Sequence, residues 1–374
     1  MLKKGILACL FLAALGLFGI LRALPEIVTA ISRQKLARSF PGARTHLEKA
    51  SLALTGFELD DISVEYDSFS MRAPKILAPW TLRPVPGITE IIGEGVQIVL
   101  GPHFTVPSLP TGVSSNKIFP IQRMQLEHLS VQIRLEDMTV DLEGSLAFNP
   151  ANQKILSANL TLPRFQWKEF HIENTRLTLN ENTGKGKISI RRASFGKISL
   201  EKIRGDVQNL PEAFVIDPLT VTAWDAPLSG SFRLPLTAPY AYAGSLTIQH
   251  LPVASVLRTL EMDTKARLSG LFSGHLRIAG NRSGLSDLNG LLNADPPGGD
   301  LDVTDPQIFS DLASRTNQPV TLIEAGLSRY HFDSGRISAS RQDHALQVEL
   351  YLEGPSGKRQ LEPTLHDFFK KENG

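Results

Sequence analysis

Cysteine is almost absent from this chain. Its 374 residues include a single one, Cys9, near the N-terminus. The preceding Ile6-Leu7-Ala8 loosely matches a lipoprotein acylation box, but this apolar stretch is shorter than a signal peptide requires. We therefore interpret Cys9 as an ordinary residue of an apolar helix. The rest of the chain contains no disulfide, and cysteine usage does not indicate a redox compartment.

Motifs of catalysis and of nucleotide binding are missing too. The sequence has no G-x-S-x-G elbow, no H-E-x-x-H and no P-loop. The pairs Gly93/Gly95 and Gly184/Gly186 lack the third glycine of a dinucleotide fingerprint. The histidines are scattered, without the spacing of paired metal ligands. We predict no catalytic residues, no cofactor and no enzyme activity.

Three carboxylates after a pair of glycines are the best candidate for a metal site. Asp300, Asp302 and Asp305 supply oxygen ligands of the kind that Ca²⁺ takes. However, Leu301 and Val303 alternate with the first two as they would in a strand, and Asp305 is well placed to cap a helix. The structural interpretation is favoured, and no metal is predicted.

Charge of one sign is not in excess. The formal net charge is +1 at pH 7, and no dense run of lysine and arginine occurs. The nearest approach to a basic patch, from Lys185 to Lys197, is interleaved with isoleucines and indicates the solvated side of a strand pair. The sequence therefore predicts no nucleic-acid partner.

A long apolar run is present only at the N-terminus. Gly5 to Leu21 contains no charged residue and would span about 25 Å as a helix, the short end of a membrane span. A cleaved signal peptide is the alternative, but no A-x-A site follows the run. We predict a transmembrane signal anchor over 1–24, an amphipathic helix leading out of the membrane over 25–45, and a body over 46–374.

The body alternates apolar and polar residues. The alternation is nearly unbroken from Leu126 to Phe148 and recurs as far as Leu352, which places one set of side chains on each face of a sheet. Turns without helical crossovers predict an antiparallel meander. The proline-rich segment 78–112 is predicted to form short edge strands and turns. Short helices are predicted at 253–260, 306–314, 319–326 and 364–371.

A sheet with one apolar face must cover that face. The predicted fold class is therefore mainly β, with a single transmembrane helix and an elongated antiparallel sheet curled into an open apolar groove. A closed sandwich with a dry core remains the alternative. The candidate groove lining is Leu129, Val131, Ile133, Leu135, Val140, Leu142, Leu160, Leu162, Leu177, Leu179, Ile188, Ile190, Leu276, Ile278, Val348, Leu350 and Leu352.

Residues 268–363 resemble the C-terminal region of the YdbH family, which is catalogued as a dicarboxylate transport domain and belongs to the AsmA-like group with TamB. Glycine-punctuated strands, a Pro-Gly-Gly step before a helix, and a final alternating strand carry the resemblance. The matching residues are Gly270, Gly274, Gly280, Gly290, Pro297-Gly298-Gly299, Tyr330, Phe332, Val348, Leu350, Leu352 and Glu353-Gly354. These motifs are structural, and none transfers a catalytic role.

The resemblance implies a function. Such proteins have one bacterial inner-membrane helix and a periplasmic sheet that conducts phospholipid between the two membranes, and tend to work with a small outer-membrane lipoprotein that extends the open sheet edge. This chain is shorter than typical members: twenty strands at about 4.8 Å would give a groove of only about 100 Å. The alternative function is a structural or assembly component of an envelope or secretion complex, with a closed β-sandwich body.

Overall fold

Strands dominate the fold. The structure is a computed structural model that describes residues 26–53, 55–81, 87–102, 121–136, 138–150, 154–167, 170–195, 197–210, 212–235, 241–281, 284–342 and 345–365. It contains a large, mostly antiparallel sheet and few helices. This confirms the mainly β class that the sequence predicts.

The predicted anchor over 1–24 lies outside the described residues. Within those residues, no helix combines the length and the hydropathy that crossing a membrane requires.

The described chain contains four helices and many strands, most of which pair antiparallel. The helices are α1 (26–39), α2 (Val253–Thr259), α3 (Pro306–Thr316) and α4 (Val320–Leu327). The strands are β1 (Arg44–Ala53), β2 (Gly56–Tyr66), β3 (Phe69–Thr81), β4 (Gly87–Ile88), β5 (Glu90–Glu94), β6 (Gln97–Leu100), β7 (Arg123–Arg134), β8 (Met138–Asn149), β9 (Lys154–Trp167), β10 (Phe170–Leu179), β11 (Lys185–Phe195), β12 (Ile198–Asn209), β13 (Ala213–Ala223), β14 (Ala226–Pro235), β15 (Tyr242–Pro252), β16 (Ala266–Leu268), β17 (Leu271–Asn281), β18 (Gly284–Ala294), β19 (Gly299–Val303), β20 (Tyr330–Phe332), β21 (Ser334–Gln342), β22 (Ala345–Gly354), β23 (Gly357–Leu361) and β24 (Thr364–Leu365).

The chain forms two compact units, although the sequence indicates no boundary within the body. Unit 1 comprises Met1–Lys168 and Asn174–Thr183, and unit 2 comprises Glu169–Glu173 and Gly184–Gly374. Each unit is described by itself below.

Unit 1 departs from the predicted meander. Its sheet runs β1, β2 and β3 in antiparallel order and later continues through β7, β8 and β9 to β10, whose residues 174–179 belong to the same unit. Between them, β5 and β6 pair antiparallel with β3 on one side and parallel with β7 on the other. The strands of this segment are short, as predicted, but β5 and β6 are not edge strands. The prolines fall outside β5 and β6, so every residue of both strands keeps its backbone N–H for pairing.

Helix α1 lies along β1. The helix predicted over 25–45 ends earlier, at residue 39, and β1 begins at Arg44. The Thr29 hydroxyl donates to the Ala50 carbonyl (3.1 Å) and accepts from the Ala50 N–H (2.9 Å). The Arg33 side chain donates to the carbonyls of Leu47 (2.7 Å) and Glu48 (2.8 Å). These bonds join the helix to the backbone of β1. A strand covered in this way is protected against pairing with another chain.

Unit 2 follows the predicted antiparallel order closely. Each strand from β11 to β15 pairs with the next, and the sheet continues through β17, β18, β21 and β22. Strand β22 then pairs with both β23 and β24. The helix predicted over 364–371 is wrong at its first residues, since Thr364 and Leu365 form β24. The rest of that segment lies outside the described residues.

A layer of helices covers part of the unit 2 sheet. This layer, the C-terminal cap, consists of α2, α3, α4 and the small sheet β16-β19-β20. It shares one hydrophobic cluster with β17 and β22, in which Phe272, Phe332 and Leu352 are fully buried. The Phe272 and Phe332 ring centroids lie 6.2 Å apart. The cap helices match three of the predicted helices to within two residues.

One cation holds the cap to the edge of the sheet. The Arg359 guanidinium lies 4.7 Å from the Tyr330 ring centroid, and its Nε donates to the Gly326 carbonyl at 2.7 Å. The Tyr330 hydroxyl donates to the Gly357 carbonyl. Burial raises the pKa of Tyr330 above its ordinary value, with a smaller opposing effect from Arg359. The phenol therefore keeps its proton at neutral pH and remains a donor.

Replacing Phe332 by alanine tests the importance of this core. We expect Phe332→Ala to lower the free energy of unfolding by about 3–5 kcal/mol, because it leaves a cavity among fully buried rings. Urea unfolding of the full chain in detergent, followed by circular dichroism, measures the loss. Leu322→Ala on α4 is the control, since that side chain is 58% exposed and its loss should be within about 0.5 kcal/mol of zero. Equal losses for the two variants would contradict this account of the cap.

Candidate functional site

The sheet of unit 2 presents an apolar face that crosses its strands in rows. The register aligns each apolar side chain with an apolar residue or a glycine on the neighbouring strand. The first row is Ile216, Phe232, Gly244, Ile278 and Leu288. The second is Leu219, Gly230, Leu246, Leu276, Gly290, Ala339 and Val348, and the third is Val221, Leu228, Ile248, Gly274, Leu292, Ile337 and Leu350.

The opposite face of the same strands is hydrophilic. One of its rows runs through Ser231, Ser245, Arg277, Asn289, Ser340 and Gln347. The hydroxyls of Ser231 and Ser245 lie 3.3 Å apart and share a hydrogen bond. Ser245, Arg277 and Asn289 are exposed. The two faces therefore differ sharply in polarity, and only one of them suits an apolar ligand.

Bulges keep the apolar residues on one face along each strand. Ile248 and Leu251 are three residues apart and would point to opposite faces of a regular strand. Both belong to one cluster, because the register shifts between them and His250 adopts a φ of 53°. Lys202, with a φ of 52°, lies within a similar shift on β12. An extra residue at each position restores the alternation.

Two glycines in these rows meet different neighbours. At Gly244 an added Cβ would lie 3.1 Å from the Phe232 ring and 3.2 Å from the Ile278 side chain. These two side chains therefore fill the space above the glycine. At Gly230 an added Cβ would lie only 1.9 Å from the Ser245 carbonyl oxygen. There the neighbouring backbone occupies the position itself, so only glycine fits.

The cap covers the rows unequally. Val221, Leu228 and Ile248 in the third row are buried and share a cluster against which Val256 of α2 packs. Ile216, Phe232 and Ile278 in the first row remain half-buried. Phe232 stacks on Tyr242 with centroids 6.0 Å apart. Burial raises the pKa of Tyr242, so the phenol stays neutral at this end of the row.

Unit 1 carries a similar apolar face on β7, β8 and β9. Val131 faces Leu142, and Val140 lies between Ile133 and Phe165. Leu129 is buried in a cluster whose members all come from β3, β7, β8 and the β5–β6 segment. Most other apolar side chains of this face are half-buried, and Trp167 at its border is 48% exposed. Polar residues such as Gln132 and Glu143 point to the other face.

The predicted lining residues fall into distinct environments. Those on β7, β8 and β9 lie on the unit 1 face, except that Leu135 follows β7 in the turn to Met138 and Leu162 lies beside a register shift. On β10, Leu177 is half-buried and Leu179 is buried. In unit 2, Val348 and Leu276 lie in the second row and Ile278 lies in the first. Ile188 extends the second row, because it pairs with Gly205, which in turn pairs with Leu219. Ile190 pairs with Ile203. Leu350 and Leu352 pack in the cluster beneath the cap.

Sequence reasoning missed several residues of these faces. Phe232 and Leu246 occupy the first and second rows but are absent from the predicted set. Glycine and serine interrupt the alternation around them, and glycine ordinarily indicates a turn. The signal is that Leu228, Gly230, Phe232 and Leu234 stand at every second position. It becomes visible only when Gly230 is counted as a residue of the apolar face.

The three candidate carboxylates do not converge. Asp300 pairs with the His331 Nδ1 at 2.9 Å, and Asp302 accepts the Arg329 N–H at 3.2 Å. Asp305 accepts the Gln307 N–H at 2.9 Å and caps α3, as predicted. Within the part of the chain that the structure describes, no group of three or more potential metal ligands is found.

Comparison with protein-family models, curated proteins and solved structures finds no significant match to this chain. The resemblance of residues 268–363 to the YdbH family therefore stays a prediction.

Replacing Gly230 by alanine tests the close approach of β14 and β15. We expect Gly230→Ala to lower the free energy of unfolding by about 1–3 kcal/mol, because the new methyl group collides with the Ser245 carbonyl. Thermal unfolding of the full chain measures the effect. The control is Ser229→Ala, one residue away on the exposed polar face, where no such collision arises. A Gly230→Ala protein as stable as its control would show that the strands separate without cost.

Proposed function

We propose that this protein is a membrane-anchored lipid-conducting groove that takes part in phospholipid transport between the inner and outer membranes of a bacterium. The observation that carries the proposal is the half-exposed apolar face of each unit. In a closed sandwich, side chains such as Ile278 and Phe232 would be buried by a second layer. They lie instead in rows that pass from strand to strand without a polar interruption.

The chemistry of these faces fits acyl chains. Burial of each CH₂ group contributes about 0.8 kcal/mol, and this interaction needs no directional bond. A face built from leucine, isoleucine, valine and glycine offers the same environment at successive positions. An acyl chain would therefore be held without being fixed at one place, and movement along the face would require no catalytic residue.

The anchor and the location belong to the same proposal. Gly5 to Leu21 would hold the chain in the inner membrane, with the body in the periplasm. The resemblance to the YdbH family supports this placement. It also suggests a small outer-membrane lipoprotein that adds a strand to a sheet edge, for which β23 and β24 of unit 2 provide the candidate edge.

Photo-crosslinking from neighbouring residues on opposite faces tests the proposal. We expect benzoylphenylalanine at Val131 or Ile278 to capture phospholipid when the full chain is reconstituted in phosphatidylethanolamine–phosphatidylglycerol vesicles, because these side chains lie on the apolar faces. The adjacent Gln132 and Arg277 are the matched controls on the polar faces. Mass spectrometry of the adducts gives the result. Equal lipid capture on both faces would contradict the proposal. Recovery of proteins alone from intact envelopes would favour an assembly component.

A charge placed on the face separates ligand binding from folding. We expect Val131→Arg to reduce binding of a fluorescent phosphatidylethanolamine by about tenfold or more. A bound acyl chain would cover the guanidinium without offering it a partner, and burying an unpaired charge is costly. Gln132→Arg, on the other face, should bind like the unchanged chain. Circular dichroism checks that both variants fold. If Val131→Arg unfolds the protein, the residue belongs to a closed core and the proposal fails in unit 1.

A further inference from the structure

The orientation of α1 leaves two isoleucines in solvent. Thr29 and Arg33 bind the backbone of β1, and Val28 and Leu36 pack on the cluster formed by Leu47, Ala50 and Ile62. At 100° per residue, this arrangement places Ile27 and Ile31 away from the strand. They are 56% and 51% exposed, although Val28 and Leu36 already supply the apolar contacts that the fold uses.

The rest of the outward surface of α1 is polar and basic. Gln34 and Arg38 continue the line from Ile31 along the helix, and Lys35 flanks them; all are exposed. Two large apolar side chains one turn apart, followed by cations, are typical of a helix that lies in a membrane interface. Burial of the two isoleucines among lipid chains would favour such a position.

The position of α1 in the chain indicates a membrane surface as its partner. The uncharged run ends at Leu21, and only residues 22–25 separate it from the helix. Four residues span at most about 14 Å. If the run occupies the bilayer, the first turn of α1 must stay close to the headgroups. Arg38 and Lys35 complement anionic headgroups such as phosphatidylglycerol.

We propose that the outward surface of α1, formed by Ile27, Ile31, Gln34 and Arg38, docks on the surface of an anionic phospholipid bilayer. This inference rests on the anchor in the proposed function. The helix would bind the interface through its isoleucines while Thr29 and Arg33 hold β1 on its other side. The first strand of unit 1 would thereby be held at the membrane surface, where a lipid would enter.

An environment-sensitive probe at Gln34 tests the docking while both isoleucines remain. The full chain, with Cys9→Ser and Gln34→Cys, is labelled with nitrobenzoxadiazole and reconstituted in phosphatidylcholine–phosphatidylglycerol vesicles. We expect blue-shifted emission and about twofold quenching by lipids that carry a nitroxide near the headgroup. The same probe at Ser229, on the polar face of unit 2, is the control and should be unaffected.

The isoleucines themselves are tested by Ile27→Ser/Ile31→Ser with the probe at Gln34. Because both side chains point to solvent, the melting temperature should not fall, whereas the blue shift and the quenching should be lost. A Gln34 probe that reports water while the chain remains in the vesicles overturns the docking proposal and leaves the anchor intact. A chain that fails to enter vesicles overturns the anchor, and the docking proposal with it. A blue shift in detergent that depends on protein concentration, without lipid quenching, indicates a second copy and also overturns the docking proposal.

Discussion

Everything in this fold depends on keeping apolar side chains on one face of a sheet over many strands. A slip of one residue in any hairpin would move a whole strand's apolar set to the other side. The register prevents this by matching Leu228 with Ile248, and Leu246 with Leu276. Keeping these rows matched is itself a constraint, because strands twist and the side chains of long strands would otherwise lose their alignment with those of the next strand. Bulges at residues such as Lys202 and His250 absorb that drift.

Alternation in the sequence predicts most of this, because each strand is a local object with a period of two. It correctly indicates the antiparallel pairing of β11, β12 and β13, and the Asp305 cap follows from capping chemistry within one turn of helix. It fails where pairing depends on distant chain. Nothing local to β5 or β6 indicates that β7 will lie parallel beside them, and nothing near Thr364 reveals that β22 offers it a strand partner.

The sequence predicts that an apolar face exists, but it identifies only some of the residues on that face. Leu276 and Ile278 follow directly from alternation. Phe232 and Leu246 do not, since Gly230 and Gly244 resemble turn residues until a neighbouring strand is known to need that space. Leu350 and Leu352 share the period of the open rows but pack beneath the cap. Periodicity reports the face on which a residue lies, whereas burial depends on what covers that face.

The cap therefore makes the unit 2 face asymmetric. Near Val221 and Ile248 the apolar side chains already have protein partners, and a ligand would have to displace α2 to reach them. Ile216 and Ile278 are only half-buried, so the same chemical surface changes from buried to partly exposed within two rows. Specificity for a headgroup cannot come from these rows, which contain no polar side chain. In the proposed function, any such selection would have to arise at the ends of the rows.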